Sequence, residues 1–364
     1  MQHTIERFQE QVRSAAAARR PLRIRGGGTK DWYGQRIDAA GGETDILDTR
    51  AHAGIVDYEP SELVITARCG TPLAHIEAAL AERRQMLPFE PPHFGPAATL
   101  GGTVAAGLSG PRRASAGALR DFVLGVKLLD GKSEVLTFGG QVMKNVAGYD
   151  VSRLLAGSLG TLGLLLEVSV KVLPVPLAGA TLRFALGEAD AIRKLNEWAG
   201  QPLPLSASCW HDGVLALRLS GARAAVDAAV RALGGEPMAD DARFWQDVRE
   251  QRHAFFDGDA PLWRLALPPA TDALALGPQL IEWGGAQRWL RAPSDEGASS
   301  GDAAAFARRM RAAATAAGGH ATLFRGGDKA VGVFQPLAPA IARIHERLKA
   351  GFDPSNIFNP GRMV

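Results

Sequence analysis

Apolar positions along this chain recur in two rhythms. Over residues 1–20, Ile5, Phe8 and Val12 return at helical spacing and predict an N-terminal helix. Leu22-Arg23-Ile24, Ile46-Leu47-Asp48, Ile55-Val56-Asp57-Tyr58 and Leu63-Val64-Ile65-Thr66-Ala67 are short extended runs that predict strands. Thr71 suits an N-cap and Pro72 a first helical position, so a helix is predicted there. Its buried face is Leu73, Ile76 and Leu80, and it closes near Arg83-Arg84. Phe122 to Leu129 predicts a strand, Asp130-Gly131 a hairpin turn and Val135 to Phe138 the returning strand. Lys144 to Leu155 predicts a short helix with its lead-in, and Leu164 to Leu173 a strand.

Pro174-Val175-Pro176 interrupts this order and marks a domain boundary. Beyond it, Ala189–Trp198, Ala222–Leu233, Ala242–Phe255 and Ala304–Ala317 carry helical patterns, the last stopped by Gly318-Gly319. Val214–Leu219 and Leu262–Leu267 predict strands, and Pro293–Ala303 a flexible loop of small residues. Two domains suit a chain of 364 residues. Helices and strands in this order predict an α+β fold.

Three glycine-dense stretches punctuate the first half: Arg25-Gly26-Gly27-Gly28-Thr29-Lys30, Thr99-Leu100-Gly101-Gly102-Thr103, and Gly157 to Gly163. Glycine turns expose successive backbone N–H groups that can cradle an anion. Two such turns in one domain predict a single extended diphosphate ligand gripped from two sides. Neither is a common nucleotide fingerprint. Counted from Gly26, the third glycine of G-x-G-x-x-G would fall on Asp31, and no G-x-x-x-x-G-K-[ST] occurs. Five prolines from Pro88 to Pro111 alternate with glycines, which predicts a loop shaped around something rather than a regular element.

Composition narrows the choice. A net charge of +3 with no block of like charge argues against nucleic-acid binding. Only Cys69 and Cys209 are present, which fits a reducing compartment and cannot ligate an iron–sulfur cluster. No apolar run reaches a membrane span, and the start of the chain has no apolar signal core. A cytoplasmic protein is expected, with membrane contact only peripheral, at the inner membrane through partners. None of the eight histidines stands at metal-ligand spacing, so no metal site is expected. Gly157-Ser158-Leu159-Gly160 fails the nucleophile-elbow pattern, which argues against a hydrolase.

Four further stretches carry a resemblance: Met86 to His93, Gly110-Pro111-Arg112-Arg113, Val142 to Asp150, and Phe358-Asn359-Pro360-Gly361-Arg362-Met363, with Trp283 to Trp289 adding to it. With the glycine turns they resemble the FAD-binding fold shared by vanillyl-alcohol oxidase and p-cresol methylhydroxylase. Within it, the chain is similar to the family of FAD-binding E subunits of bacterial glycolate oxidase. The likeness spans nearly the whole chain. It implies a two-subdomain p-cresol methylhydroxylase-type FAD domain over residues 1–175 and an α+β cap domain over 176–338. Residues 339–364 then return to the flavin domain.

The resemblance also implies roles. Arg25, Gly26, Gly27, Gly28 and Thr29 match the first pyrophosphate loop. Thr99, Leu100, Gly101, Gly102 and Thr103 match the second, with Ala105, Ala106 and Gly107 passing close to the flavin. Gly157, Ser158, Gly160, Gly163 and Leu164 match the segment near the adenosine, and Asn359 the returning tail. FAD is expected to be non-covalent, because the first loop has no histidine or cysteine. His93 is the one nearby candidate for a link and is read as a packing or hydrogen-bonding residue.

The substrate side departs from the catalytic relatives. Their histidine-rich metal stretch corresponds to His320–Asp328, which lacks the second histidine and the asparagine, and their Glu-His pair is missing. A lysine of those enzymes is replaced near Leu262-Trp263-Arg264. Trp245 to Glu250 resembles the family's Trp-x-x-x-Arg-Glu helix, whose arginine clamps a carboxylate, so Arg249 is the candidate catalytic-site residue. The competing and favoured reading pairs Arg249 with Asp247 or Glu250 on an ordinary helix.

The expectation is an FAD-binding subunit of a complex that oxidises glycolate to glyoxylate. Its partners would be a homologous flavin-carrying D subunit, holding the complete site for the 2-hydroxy acid, and an iron–sulfur F subunit that takes the electrons. A stand-alone FAD-dependent 2-hydroxyacid dehydrogenase and a non-redox scaffold are the alternatives.

Overall fold

The computed structural model describes residues 2–37, 44–140, 149–292 and 300–363. The longest uninterrupted apolar runs of the first half become the inner strands of a five-stranded sheet. Its order is Ile55–Glu59, Val64–Arg68, Leu164–Lys171, Val123–Leu129, Val135–Gly139, and every neighbouring pair is antiparallel. Val64–Arg68 and Leu164–Lys171 are buried on both faces, whereas the edge strand Val135–Gly139 alternates exposed and half-buried positions. A strand covered on both faces has no reason to alternate, and this is why those runs read as continuous.

A smaller unit stands beside this sheet. Leu22–Arg25 pairs in parallel with Asp45–Asp48, and Leu22 also bridges in parallel to Phe358 near the end of the chain. The helix Gln2–Ala18 lays Phe8, Val12 and Ala15 into the same apolar core that receives Leu22, Leu47, Ile357 and Phe358.

The second half is organised by one eight-stranded antiparallel sheet. Its order is Glu236–Pro237, Ala178–Ala185, Val214–Gly221, Leu205–His211, Gln279–Glu282, Gln287–Arg291, Leu262–Ala266, His320–Arg325. The helices Glu188–Ala199, Arg223–Leu233 and Ser300–Ala316 pack on it. The fold is α+β.

Two carboxylates couple the loop after Met86 to the second half of the chain. Glu90 is held by Arg112, through N–H (2.9 Å) and Nε (3.3 Å), and by Arg218 Nη2 (2.9 Å). Glu250 accepts the N–H groups of His93 (3.1 Å) and Phe94 (2.8 Å). Both arginines keep Glu90 ionised against its own burial, and its carboxyl sits below the usual range.

Several expectations need correction. Thr71 does not cap the helix Leu73–Glu82; Pro72 holds the cap position, and the Thr71 hydroxyl is taken by Gly54, accepting its N–H (2.9 Å) and donating to its carbonyl (3.1 Å). The second glycine stretch is no open turn, because Leu100–Ala106 is a helix with Thr99 as its N-cap. The helix predicted over Ala242–Phe255 is Asp241–Arg249, and a separate 3₁₀ turn, Ala254–Phe256, follows after Gln251 enters the left-handed region at φ 54°. Helix Ser300–Ala316 starts inside the predicted loop, of which residues 293–299 lie outside the described residues. Of the helix predicted from Lys144, only Val151–Leu155 lies among them as helix.

Sequence reading passed over the strands Ala178–Ala185, Leu205–His211, Gln279–Glu282, Gln287–Arg291 and His320–Arg325, and the helix Pro339–Phe352. Most of these strands sit within the eight-stranded sheet and bury Ser206, Ser208, Gln279, Glu282, Gln287 and Arg288 beside apolar neighbours. Buried polar residues erase the period-2 signal.

Candidate cofactor cleft and the pocket beside it

The first glycine stretch follows directly from the strand Leu22–Arg25 and turns at Gly28, φ 74°. It packs on the residues just before the helix Leu100–Ala106. A Cβ on Gly27 would lie 1.5 Å from the Ala97 carbonyl oxygen, and one on Gly26 would lie 2.4 Å from Thr99 Oγ1. Those two glycines are therefore required by chain meeting chain, before any ligand is considered.

Together they wall a cleft of about 590 Å³, open in part to solvent. Arg25, Gly26, Gly27, Gly28, Thr29, Thr99, Gly102, Ala105, Ala106 and Asn359 all line it. An adjoining space of about 390 Å³ is lined by Gly101, Gly160, Gly163 and Leu164, and shares Gly26, Gly102, Ala105 and Asn359 with the first. Gly157 and Ser158 line a third cleft, which shares Asn359. Leu100 and Thr103 line none of these; the helix turns them into the core, and they are 2% and 1% exposed. Gly107 also lines none. It ends that helix at φ 65°, where a Cβ would meet Gly157 Cα at 2.7 Å.

The two stretches differ in what they can offer an anion. Among the described residues, the N–H groups of Gly26, Gly27, Gly28 and Thr29 donate to no protein atom. In the second stretch, Leu100 N–H goes to Thr71 O (2.9 Å), Gly101 N–H to Cys69 O (2.8 Å) and Thr103 N–H to Thr99 O (2.9 Å). Gly102 N–H faces Thr99 Oγ1 at 3.3 Å. The donors come from the first stretch, and the second supplies a close wall. Four N–H groups without a protein acceptor, on one turn that lines a cleft, fit a diphosphate.

Asn359 stands in the left-handed region at φ 41° and is fully committed: it accepts Ile24 N–H (3.0 Å) on Oδ1 and donates to Leu159 O (2.7 Å) through Nδ2. It sets the wall of the cleft. The cleft also has residues that sequence reading missed. Arg23, Lys30, Asp31, Tyr33 and Arg362 line it. Arg362 Nη2 donates to the carbonyls of Tyr33 (2.6 Å) and Asp31 (2.9 Å), so the chain's last turn clasps the segment after the glycines. The stretch ending in Met363 carried this signal, but only Asn359 was taken from it. Arg25 and Arg23 both pair with Asp31 (2.7 and 2.9 Å). Lys30 donates to His93 O (3.2 Å), and burial pulls its pKa down to about 8 against the opposing pull of Glu250.

Cys69 touches the adjoining space, but burial pushes its thiol up to about 12, which leaves no thiolate to attack a ring. His93 shares a contact with Glu77 (3.1 Å) and its N–H with Glu250, in keeping with a hydrogen-bonding role.

Arg249 does pair with Glu250 (2.9 Å). It also borders a separate small pocket, open in part to solvent, between the two halves, with Gln251, Arg264, Glu282, Gln287 and Trp289. Trp263, Trp283 and Trp289 are buried. Glu282 Oε2 accepts Trp289 Nε1 (2.7 Å) and Gln287 Nε2 (3.0 Å), yet burial still raises its carboxyl to about 7. Sequence reading found no candidate acid–base group for a substrate and passed over Glu282, a buried carboxyl that borders this pocket. It directly precedes the quoted Trp283–Trp289 stretch, and that adjacency was the available signal. The stretch matched to the relatives' metal site forms the strand His320–Arg325, and among the described residues no three His, Cys, Asp or Glu side chains gather as metal ligands.

With this geometry in place, comparison with known proteins is direct. A family model described as an FAD binding domain matches residues 2–139. Glycolate oxidase subunit GlcE of Escherichia coli (strain K12) is 48% identical over 355 residues, covering 97% of this chain and 95% of that one. Glycolate oxidase subunit GlcD of Bacillus subtilis (strain 168) is 31% identical over 137 residues, 38% of this chain and 29% of its own. Among solved structures, alkyldihydroxyacetonephosphate synthase matches with a TM-score of 0.66 at 16% identity, covering 97% of this chain and 74% of that one, a likeness of fold alone. Identity of this extent over nearly the full length of both chains places the protein in the glycolate oxidase subunit GlcE family, with an FAD binding domain as its first part.

Proposed function

We propose that this chain is the FAD-holding subunit of a multisubunit assembly that oxidises glycolate to glyoxylate, and that electrons leave it for an iron–sulfur subunit. The observation that carries the reading is the set of four N–H groups on Gly26–Thr29 that have no partner among the described residues, on a turn lining the cleft that the tail residues Asn359 and Arg362 also line. Its cofactor is FAD. When bound, FAD supplies the two-electron acceptor for oxidation of a CH–OH group.

In this reading, Gly26, Gly27, Gly28 and Thr29 hold the diphosphate, with Lys30, hydrogen-bonded among the described residues only to a carbonyl, on the same wall. Arg23 and Arg25 share the one carboxylate of Asp31, which fixes the turn and leaves a net positive charge beside the cleft. Gly160, Gly163 and Leu164 border the adjoining space and Gly157 and Ser158 the third cleft, on the side given to the adenosine. Attachment is non-covalent, given the inert Cys69. The divisions at residues 175 and 338 follow the same proposal, the last segment serving the first domain. The natural partners are a GlcD-like flavoprotein and an iron–sulfur protein. Association with the inner membrane would come through them; among the described residues no helix is long and apolar enough to cross a membrane.

The test is the visible absorbance of the purified chain under anaerobic conditions. The expected result is a flavin band that survives glycolate and bleaches when the partner subunits are added. A folded chain that carries no flavin and cannot be loaded with it would overturn the reading. Bleaching by glycolate without partners would overturn the division of labour and favour a self-sufficient 2-hydroxyacid dehydrogenase.

A further inference from the structure

The pocket between the halves is separate from the glycine-walled cleft: the two share no lining residue. Three features of its side chains point outward to a ligand. Arg264 has no carboxylate partner among the described residues; its Nη2 meets only the Tyr33 hydroxyl (3.2 Å), and its guanidinium lies 5.3 Å from the Phe324 ring centroid. Its unbalanced charge is felt next door, where it helps to lower the pKa of Arg113 and His320. Gln251 is 8% exposed, and its Oε1 is buried without a hydrogen-bond partner. Glu282 uses Oε2 for both of its described hydrogen bonds, and Oε1 has none among the described residues.

A cation without an anion, an acceptor without a donor, and a carboxyl with one free oxygen make a composite demand. A small carboxylic acid with an adjacent hydroxyl meets all of it, the hydroxyl donating to Gln251 Oε1; the matching 2-oxo acid meets the cation and accepts from a protonated Glu282. We infer that this pocket is a binding site, on this chain itself, for a small 2-hydroxy or 2-oxo acid, with Arg264 pairing its carboxylate and Glu282 and Gln251 meeting its neighbouring oxygen. This rests on and deepens the reading above by giving the chain its own recognition of the substrate class, where the favoured reading of the sequence had assigned the complete site to a partner. Arg249 is spent on Glu250 and borders the site without being its main cation.

Charge around Glu282 sets a pH dependence. Arg249 and Arg264 border the same pocket; Cys209 lies opposite on the paired strand and remains a thiol; Glu90 stays ionised between Arg112 and Arg218 and opposes a second negative charge. A neutral Glu282 admits an anionic ligand, and an ionised one repels it. With the Glu282 carboxyl raised to about 7, affinity falls as pH rises above that value. One linked proton makes the limit roughly tenfold per pH unit.

The experiment is calorimetric titration of the purified FAD-loaded chain with glycolate and glyoxylate, beside acetate and glycolamide. Glycolate and glyoxylate are expected to bind, acetate more weakly and glycolamide not at all. Arg264→Met is expected to lose at least tenfold in glycolate affinity, and Glu282→Gln to retain binding while flattening its pH profile above neutrality. The flavin spectrum and circular dichroism check that each variant is folded. Equal affinity for glycolamide, unchanged binding in folded Arg264→Met, or no binding by the parent chain overturns the inference. A chain that keeps FAD but ignores the acids sinks this site alone. A chain that binds the acids but never takes up FAD sinks the cofactor reading alone.

Discussion

Single residues in the cofactor cleft answer to packing first. Gly27→Ala puts a methyl group inside the Ala97 carbonyl, and overpacking of this kind costs about 1–3 kcal/mol or more. We expect a lower Tm and loss of flavin absorbance from this variant. Gly351→Ala is the control: it sits in the helix Pro339–Phe352 with nothing within 4 Å of a new Cβ, and should be neutral or stabilising by up to about 1 kcal/mol. Lys30 poses the reverse case. Its folded pKa of about 8 lies below the ordinary 10.5, so at neutral pH the chain carries a buried charge at a cost that disappears as pH rises through that window. Lys30→Met should therefore raise the Tm of the FAD-free chain at pH 7 while weakening FAD retention; a lower Tm would mean that its bond to His93 O outweighs the burial. Glu282 has its own sign. Its raised carboxyl contributes stability that is whole below about 4.5 and is lost as pH rises through about 7. Glu282→Gln should remove that slope from the Tm profile. His52, His253 and His320, all held below 6.5 by burial, act the opposite way and lose stability on acidification.

Among elements, the loop between Met86 and Gly110 joins the two halves. Arg218→Met removes one of two cations from a Glu90 carboxylate in a low-dielectric setting. Breaking such a pair costs up to about 3 kcal/mol when the second arginine stays. Denaturant unfolding should register that loss, and Glu90→Gln/Arg218→Met together should recover part of it. How legible these elements were depended on burial. The runs Val64–Arg68 and Val123–Leu129 announced themselves as apolar strands. Thr71 misled, because a threonine that caps and a threonine that staples a loop through both hydroxyl roles look alike in sequence. Gln279–Glu282 was invisible, since its buried polar residues break the apolar run and find partners that the run itself does not show, such as Glu188 for Gln279, 91 positions away. The glycine stretches were legible as tight places. That the first keeps its donors free while the second spends them could be read only from coordinates.

At the level of the whole molecule, the final helix and tail belong to the first core. Phe358 and Ile357 are 0% and 1% exposed in it, and Asp353, fully buried, accepts the N–H groups of both (2.7 and 3.1 Å). Truncation after residue 338 should give a chain that is insoluble or unable to hold FAD, and a fragment of residues 1–175 should need residues 339–364 supplied separately to become soluble. A stable, flavin-binding truncation would show that the tail is dispensable. The tail's contact with the first strand also has a consequence in time. Ile24 and Asn359 are 335 positions apart, yet the wall of the cleft depends on their hydrogen bond. Until Asn359 has emerged from the ribosome that wall is unfinished, so a nascent chain stopped anywhere short of it presents the glycine turn with one wall of its cleft open.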